Sequence, residues 1–344
     1  MLNHVKKITL FISTIMLSYY TINPSIACSR FTYAPDDKTV LTVRSMDWVE
    51  DIKTDLWAFP AGISRQGDSS ANAIHWISKY GSVIASGYNI GTTDGINTAG
   101  LNANLLYLTS ADYGKIDPKH KNLSVLSWVQ FVLDNYATVN EAVNGLNAQQ
   151  FNMIAPVLPN GAKASLHLAI TDATGDNAVF EHINGKLIIH HGKEYKVMTN
   201  EPSYDKQLAL RDYWGRLHGE FLPGTSEPDD RFVRTSYYVQ TAPNAADTQQ
   251  AVATVFSIIR NVSVPIGTSM PGKPNVAATI WRSVADLKNN MYFFENTNRP
   301  NIFWVNLNKL DLSQGGKIMK LPLANNEIYA DEVNKYFIED KPVY

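Results

Sequence analysis

The sequence predicts a single α+β domain built as a layered sandwich of sheets and helices. Strand-rich stretches open and close the chain, and three stretches with helical spacing of apolar residues lie between them. One strand does not alternate regularly with one helix, as a doubly wound parallel sheet would require. No internal repeat, low-complexity linker or long charge run marks a domain boundary, and 344 residues are enough to bury a large core.

The strand predictions rest on β-branched and aromatic residues separated by turn formers. "CSRFTYA" and "TVLTVRSMDW" flank "PDDK" and predict a first hairpin that turns at residues 35–38. Further hairpins are predicted from "GSVIASGYN" to "NANLLYL" and from "ASLHLAI" to "KVMTN", where "TGD" and "NGK" mark turns. "NNMYFFEN" and "NIFWVNL" predict strands in the C-terminal third.

Three helices are predicted from a period of about 3.6 residues. "SVLSWVQFVLDNYA" places Val125, Trp128, Val129 and Val132 on one face. "TVNEAVNGL" begins with a threonine and a glutamate spaced as in a capping box. "ADTQQAVATVFSIIRNV" is the third helical stretch.

The first 27 residues have the pattern of a secretory signal peptide. Lys6 and Lys7 precede the apolar run "ITLFISTIMLSYYTI", which is shorter than the roughly 20 apolar residues of a membrane span, and "SIA" ends in small residues. Cleavage after Ala27 predicts a periplasmic or secreted chain of 317 residues, 344 less 27. Its formal charge changes from -2 to -4 because two lysines and no acidic residue are lost. We expect no membrane contact after cleavage, and no basic stripe indicates nucleic-acid binding.

Cys28 is the only cysteine and would become the first residue of the mature chain. Its thiol would lie beside a free α-amine with an ordinary pKa of about 7.7 to 8.0, which could take the thiol proton and later give it to a leaving amine. This arrangement suits amide hydrolysis, and an exposed thiolate would oxidise readily. Two alternatives are acylation of Cys28 in a lipoprotein, although Ser25 stands where that processing prefers a Leu-like residue, and a thiol without a role.

The first hairpin brings charged side chains to this thiol. A turn at residues 35–38 places Cys28 opposite about Ser45, with Arg44 and Asp47 on either side. A guanidinium stabilises a thiolate, and Asp47 could hold the α-amine. Regular alternation sends Arg44 and Asp47 to opposite faces, so a bulge or a strand end is needed for both to reach the site. A plain salt bridge between the two remains an alternative.

Other site patterns are weak. The sequence has no G-x-S-x-G, H-E-x-x-H, G-x-x-x-x-G-K-[ST] or G-x-G-x-x-G motif. His182, His190, His191 and Glu181 lie along one predicted hairpin, but strand alternation separates His190 from His191. Solvated histidines are therefore favoured over a metal site, and no metal is predicted.

Motifs along the whole mature chain resemble the choloylglycine hydrolase family, which contains penicillin V acylases and bile salt hydrolases. The resemblance is greatest to the exported Gram-negative branch. It implies an N-terminal nucleophile hydrolase with one catalytic domain over residues 28–344, an αββα four-layer sandwich, no cofactor and assembly as a homotetramer. The motifs are "ACSRFTYAP", "TVRSMDW", "TTDGINTAGLNANLLYL", "YKVMTNEPSYDKQL", "LPGTSEPDDRFVRTSYY" and "NIFWVNL".

The same resemblance implies the roles of the site residues. Cys28 is the implied nucleophile with its own amine as base, and Arg44 and Asp47 are the pair beside it. Asn200 is the implied oxyanion donor, and Arg231 is a further active-site arginine. The residues alone leave the last two open as a turn former and a loop ion pair.

The substrate predictions rest on aromatic residues near the first hairpin. Met46, Trp48 and Tyr107 are expected to hold an apolar acyl group, and the resemblance adds the Tyr107 backbone N–H as a donor opposite Asn200. Trp57 and Phe59 are expected in the core. At position 107 the exported branch often has tryptophan. The tyrosine found here is similar to the residue at this position in the Gram-positive penicillin V acylases.

The resemblance implies a small N-acyl amide as the partner and favours penicillin V and N-acyl homoserine lactones, the second of which would make this a quorum-quenching amidase. Two alternatives remain. One is a conjugated bile salt hydrolase. The other is a lipid-anchored protein that binds acyl amides without cleaving them.

Overall fold

The structure is a computed structural model that describes residues 28–148, 151–217, 219–267, 277–323, 327 and 329–342. The predicted signal peptide, residues 1–27, lies outside the described residues. The described chain forms two large β-sheets that face each other, with helices on both outer sides. The predicted αββα sandwich is therefore confirmed.

The strands, labelled in chain order, share the aromatic and β-branched composition that predicts extended backbone. They are β1 Ser29–Tyr33, β2 Leu41–Trp48, β3 Leu56–Phe59, β4 Ser64–Gln66, β5 His75–Ile77, β6 Ser82–Gly87, β7 Gly91–Asn97, β8 Asn102–Tyr107, β9 Lys121–Ser124, β10 Phe151–Ile154, β11 Leu166–Thr171, β12 Asn177–Ile183, β13 Lys186–His191, β14 Val197–Met198, β15 Ala278–Asp286, β16 Met291–Asn296, β17 Arg299–Asn306, β18 Met319–Leu321, β19 Asp331–Glu332 and β20 Ile338–Glu339.

The two sheets have simple, largely antiparallel topologies. One has seven strands in the order β14-β1-β2-β15-β16-β17-β19, in which only the last pair is parallel. The other has nine strands in the order β13-β12-β11-β8-β7-β6-β3-β18-β20. The short pairs β4-β5 and β9-β10 form two small sheets outside this sandwich.

The helices cover the outer faces. In the described residues, α1 and α2 contact the nine-stranded sheet, α4 and α5 contact the seven-stranded sheet, and α3 packs on α4. No helix in this described part of the chain is long and apolar enough to cross a membrane. The bounds are α1 Trp128–Asn135, α2 Val139–Ala148, α3 Tyr204–Gly215, α4 Pro228–Thr241 and α5 Thr248–Asn261.

Buried hydrogen bonds join the two sheets across the apolar core. Arg30 of β1 donates from Nε to Asn104 of β8 at 3.0 Å. Asp94 of β7 accepts from the Tyr292 hydroxyl of β16 at 2.9 Å and from Asn104 at 2.7 Å. These contacts fix the first strands of the chain against β7 and β8, the strands that complete the candidate site.

The first hairpin forms as predicted, but its register is shifted by one residue. The strands pair through Ser29 opposite Ser45, so Cys28 comes opposite Met46, and the predicted position opposite Ser45 is wrong. Pairing ends at Tyr33 opposite Leu41. The loop between the two strands is therefore centred on residue 37, whereas the predicted turn at residues 35–38 is centred between residues 36 and 37.

The three predicted helical stretches form α1, α2 and α5. At α2 the predicted capping box is incomplete, because Thr138 Oγ1 accepts from the Glu141 N–H at 3.2 Å while Glu141 accepts from the Ala137 N–H. The helices α3 and α4 were not predicted from periodicity. Trp57 and Phe59 are buried in the core, as predicted.

Candidate active site

Cys28 lies directly before β1, at the end of the seven-stranded sheet. Its Sγ is 3.9 Å from Met46 Sδ and 3.7 Å from the Asp47 backbone oxygen. Side chains alternate along β1, so the thiol points between the two sheets whereas Ser29 points towards the helices. Because Cys28 is only 2% exposed, the prediction of an exposed thiolate is wrong.

Arg44 lies on the inner face of β2, beside the thiol. Its Nη2 donates to the Leu105 backbone oxygen at 2.7 Å, and its Nη1 donates to the Thr93 backbone oxygen. These oxygens belong to β8 and β7, whose pairing ends at Asp94 opposite Asn104. The guanidinium therefore fills the opening between the two strands and supplies a positive charge there.

Asp47 lies on the outer face of β2, towards the helices. Its Oδ1 accepts from Thr279 Oγ1 at 2.5 Å, and its Oδ2 accepts from Ser45 Oγ at 3.4 Å and lies 3.9 Å from Arg231 Nη1. Burial raises the pKa of Asp47 to about 6, although the Arg231 charge opposes this rise. Arg44 and Asp47 thus occupy opposite faces, and the site forms at the strand end, where both faces reach Cys28.

Arg231 of α4 holds the Cys28 backbone from the outer face. Its Nη1 donates to the Cys28 backbone oxygen at 2.7 Å and to Ser29 Oγ at 2.6 Å, and its Nε donates to the Ser226 oxygen at 2.9 Å. Burial lowers the pKa of this fully buried side chain. Arg231 is therefore a structural part of the site and not a loop ion pair.

Asn200 approaches Cys28 from the chain segment after β14, the strand that pairs with β1. Its Oδ1 accepts from the Cys28 N–H and, at 3.2 Å, from Arg231 Nη2. Its Nδ2 donates to the Tyr107 backbone oxygen at 2.7 Å. Among the described residues, the second hydrogen of this amide has no acceptor.

Tyr107 ends β8 and turns its backbone towards Asn200. Leu108 donates its N–H to the Ser165 oxygen at 2.9 Å, on the side of β11. Because consecutive residues of a strand direct their backbone groups to opposite edges, the Tyr107 N–H and oxygen point to the edge where Asn200 lies. The sequence resemblance predicted this pair of donors, and the structure brings the two residues together.

The pKa of the Cys28 thiol is raised in this arrangement. Burial raises its pKa, the Arg44 charge lowers it, and the Asp47 charge raises it again. The same backbone that carries the thiol presents its nitrogen to Asn200. If this nitrogen were a free amine, it would be close enough to accept the thiol proton during a reaction.

A narrow apolar cavity of about 60 Å³ opens in front of the thiol. Met46, Trp48 and Tyr107, the residues expected to hold an apolar acyl group, line this cavity. The rings of Trp48 and Tyr107 lie 5.8 Å apart. Trp48 Nε1 donates to the Tyr88 hydroxyl at 2.7 Å. Sequence reasoning missed the apolar lining from distant loops and strands, which no local pattern identifies: Ile52, Tyr88, Ile90, Leu126, Leu158 and Leu166.

The histidines of the hairpin formed by β12 and β13 do not converge on one point. His182 packs against Trp128 and Tyr113, and burial lowers its pKa to about 4, so the expectation that it is solvated is wrong. His191 contacts Asp176 at 2.7 Å. Among the described residues, no three His, Cys, Asp or Glu side chains form a group that could hold a metal ion.

Comparison with known proteins relates this geometry to one family. Residues 28–320 match the family model "Linear amide C-N hydrolases, choloylglycine hydrolase family". The penicillin V acylase of Pectobacterium atrosepticum is 44% identical, over 92% of each chain. The structure of penicillin V acylase from Agrobacterium tumefaciens has a TM-score of 0.85 and 47% identity, covering 92% of this chain and 98% of that one. A bile salt hydrolase/transferase of Lactiplantibacillus plantarum is 23% identical, over 70% of this chain and 79% of its own.

Proposed function

The chain belongs to the choloylglycine hydrolase family of linear amide C–N hydrolases, and we propose that it cleaves N-acyl amides through the Cys28 thiol. The observation that supports this proposal is the convergence of three side chains on one residue. Arg44 lies beside the thiol, Arg231 holds the Cys28 oxygen, and Asn200 binds the Cys28 nitrogen. A buried thiol without a role would need none of these contacts.

The mechanism requires that residues 1–27 are removed after Ala27. The nitrogen of Cys28 then becomes an α-amine, and it already faces Asn200 Oδ1. Such an amine has an ordinary pKa of about 7.7 to 8.0 and is the base that the neutral thiol needs. Removal of a signal peptide during export to the periplasm or beyond would supply this amine.

The reaction follows from these positions. The thiol proton passes to the α-amine while sulfur attacks the acyl carbonyl carbon, and the carbonyl oxygen becomes an oxyanion. The free Asn200 amide hydrogen and the Tyr107 N–H stabilise this oxyanion. The protonated amine then gives its proton to the leaving nitrogen as the C–N bond breaks, which leaves a thioester on Cys28. Water adds to the thioester, with its proton passing through the same amine, and the carboxylic acid leaves as the thiol re-forms.

The apolar cavity favours a phenoxyacetyl group or a fatty acyl chain. Each buried methylene contributes about 0.8 kcal/mol, so kcat/KM should rise roughly 15-fold for every two fully buried carbons until the cavity is full. A steroid presents hydroxyl groups, and an unpaired buried hydroxyl costs roughly 1 to 3 kcal/mol. We therefore propose penicillin V and N-acyl homoserine lactones as substrates, in preference to conjugated bile salts.

The test is a substrate panel in one buffer. We would measure kcat/KM for penicillin V, for homoserine lactones from butanoyl to dodecanoyl, and for glycine- and taurine-conjugated bile salts. The proposal predicts the highest values for penicillin V or the longer lactones. A taurocholate value above all others would overturn the substrate assignment. A mature N-terminus that carries lipid, with no hydrolysis of any substrate, would favour an anchored binding protein.

A further inference from the structure

Thr279 occupies an irregular point of β15, directly opposite Asp47. β15 pairs with β2 through Thr279 opposite Asp47 and Trp281 opposite Met46, so Ile280 is an extra residue on β15. A bulge of this kind changes the direction of neighbouring side chains. It lies here next to the proposed active site.

The hydrogen bonds of the Thr279 hydroxyl have a defined direction. Oγ1 accepts from the Val264 N–H at 2.9 Å, and it lies 2.5 Å from Asp47 Oδ1. A hydroxyl has one hydrogen, and the bond from Val264 uses an oxygen lone pair, so that hydrogen is directed at Asp47. Thr279 is 1% exposed and Asp47 is fully buried, so water does not compete for this contact.

The groups around Asp47 divide between its two oxygens. Oδ2 faces Ser45 and Arg231, whereas Oδ1 accepts from Thr279. Of the charged and titratable groups, Arg231 of α4, Arg282 of β15 and the Cys28 thiol before β1 act on this carboxyl. Among the described residues, Thr279 is thus the side chain that binds Asp47 Oδ1 and thereby sets the rotation of the carboxylate about its bond to Cβ.

We propose that Thr279 is a positioning residue for amide hydrolysis. It holds the Asp47 carboxylate towards Arg231, and Arg231 in turn holds the backbone of Cys28. The chain of contacts runs from Thr279 to Asp47, then to Arg231 Nη1, which donates to the Cys28 oxygen. This role rests on the function proposed above. Thr279 itself touches neither the thiol nor the cavity in front of it.

The test compares three variants of the mature enzyme. Thr279→Val removes the hydroxyl at nearly constant volume, and Thr279→Ser keeps it. Thr297→Val is the matched control. Thr297 Oγ1 lies 2.7 and 2.9 Å from the backbone oxygens of Thr279 and Ile280, not on the Asp47 side. The bond from the Thr297 N–H to the Ile280 oxygen at 3.1 Å is kept in this variant and still holds the bulge. Loss of a hydrogen bond to a charged group should lower kcat/KM of Thr279→Val roughly 10- to 100-fold. Thr279→Ser should restore most of this activity, and Thr297→Val should stay near wild type.

Two pH measurements separate positioning from loss of stability. A bond to the carboxylate favours its ionised form, so Thr279→Val should move the acid limb of kcat/KM, and the NMR titration midpoint of the ¹³C-labelled Asp47 carboxyl, to higher pH. The NMR signal is assigned with Asp47→Asn and needs no substrate. If neither moves, or if Thr297→Val produces the same losses, the positioning role is overturned. If the NMR midpoint moves but wild type hydrolyses no N-acyl amide, the contact is upheld and the proposed function fails.

Discussion

Replacing Asp47 by asparagine should change how the stability of the protein depends on pH. Burial raises the pKa of Asp47 from its ordinary value of 3.8 to about 6, so the folded state binds this proton more tightly than the unfolded chain. Stability contributed by this proton is therefore present at low pH and lost as the pH rises through about 6. The full effect is about 3 kcal/mol at 1.36 kcal/mol per pH unit. Asparagine has no such proton, so Asp47→Asn removes the effect.

The assay is urea unfolding of wild type and Asp47→Asn at about pH 4.5 and about pH 7.5. Other groups titrate in both proteins, so the difference between the two free energies of unfolding isolates Asp47. This difference should favour wild type by about 2 kcal/mol more at the lower pH, since the unfolded carboxyl is mostly ionised there while the folded one is mostly protonated. A difference that is the same at both pH values would refute the raised pKa and the buried, poorly solvated carboxylate on which it rests.

Two further variants test the other polar groups of the site. Asn200→Ala should lower kcat for penicillin V by about 10² to 10³ with little change in KM, because it removes the proposed oxyanion donor. A large rise in KM with unchanged kcat would instead indicate ground-state binding. Arg231→Lys should lower both kcat and the thermal midpoint, because a lysine cannot reproduce the bonds to the Cys28 oxygen, Ser29 and Ser226, and calorimetry showing wild-type stability would contradict this.

Much of the fold follows from local sequence, because hairpins depend on turn residues and strand composition close together in the chain. The helices α3 and α4 were missed for physical reasons. In α3 only Tyr204 and Gln207 are buried, so it shows no apolar stripe and is stabilised by packing on α4. The helix α4 begins with Pro228 and two acidic residues, a helix-start pattern that also suits a loop.

The candidate site was predictable only in part. The hairpin placed Arg44 and Asp47 near Cys28 because all three belong to neighbouring strands. Asn200 and Arg231 lie 172 and 203 residues after Cys28 and are brought to it by tertiary packing, so only the family resemblance located them. Thr279 had no sequence signal, because its contact depends on a bulge that depends on the pairing of β15 with β2.

The central claim is that Cys28, freed at the N-terminus, carries the acyl group during amide hydrolysis. The most direct measurement is acid-quenched mass spectrometry of the protein, expressed from its full sequence, during turnover of penicillin V. Peptide mapping follows, with Cys28→Ala as the control. We predict a chain that begins at Cys28, a phenoxyacetyl group bound to that residue, and neither adduct nor turnover in the control, which should retain the wild-type thermal midpoint. An adduct on another residue, or hydrolysis by Cys28→Ala at a rate close to wild type, would contradict the account.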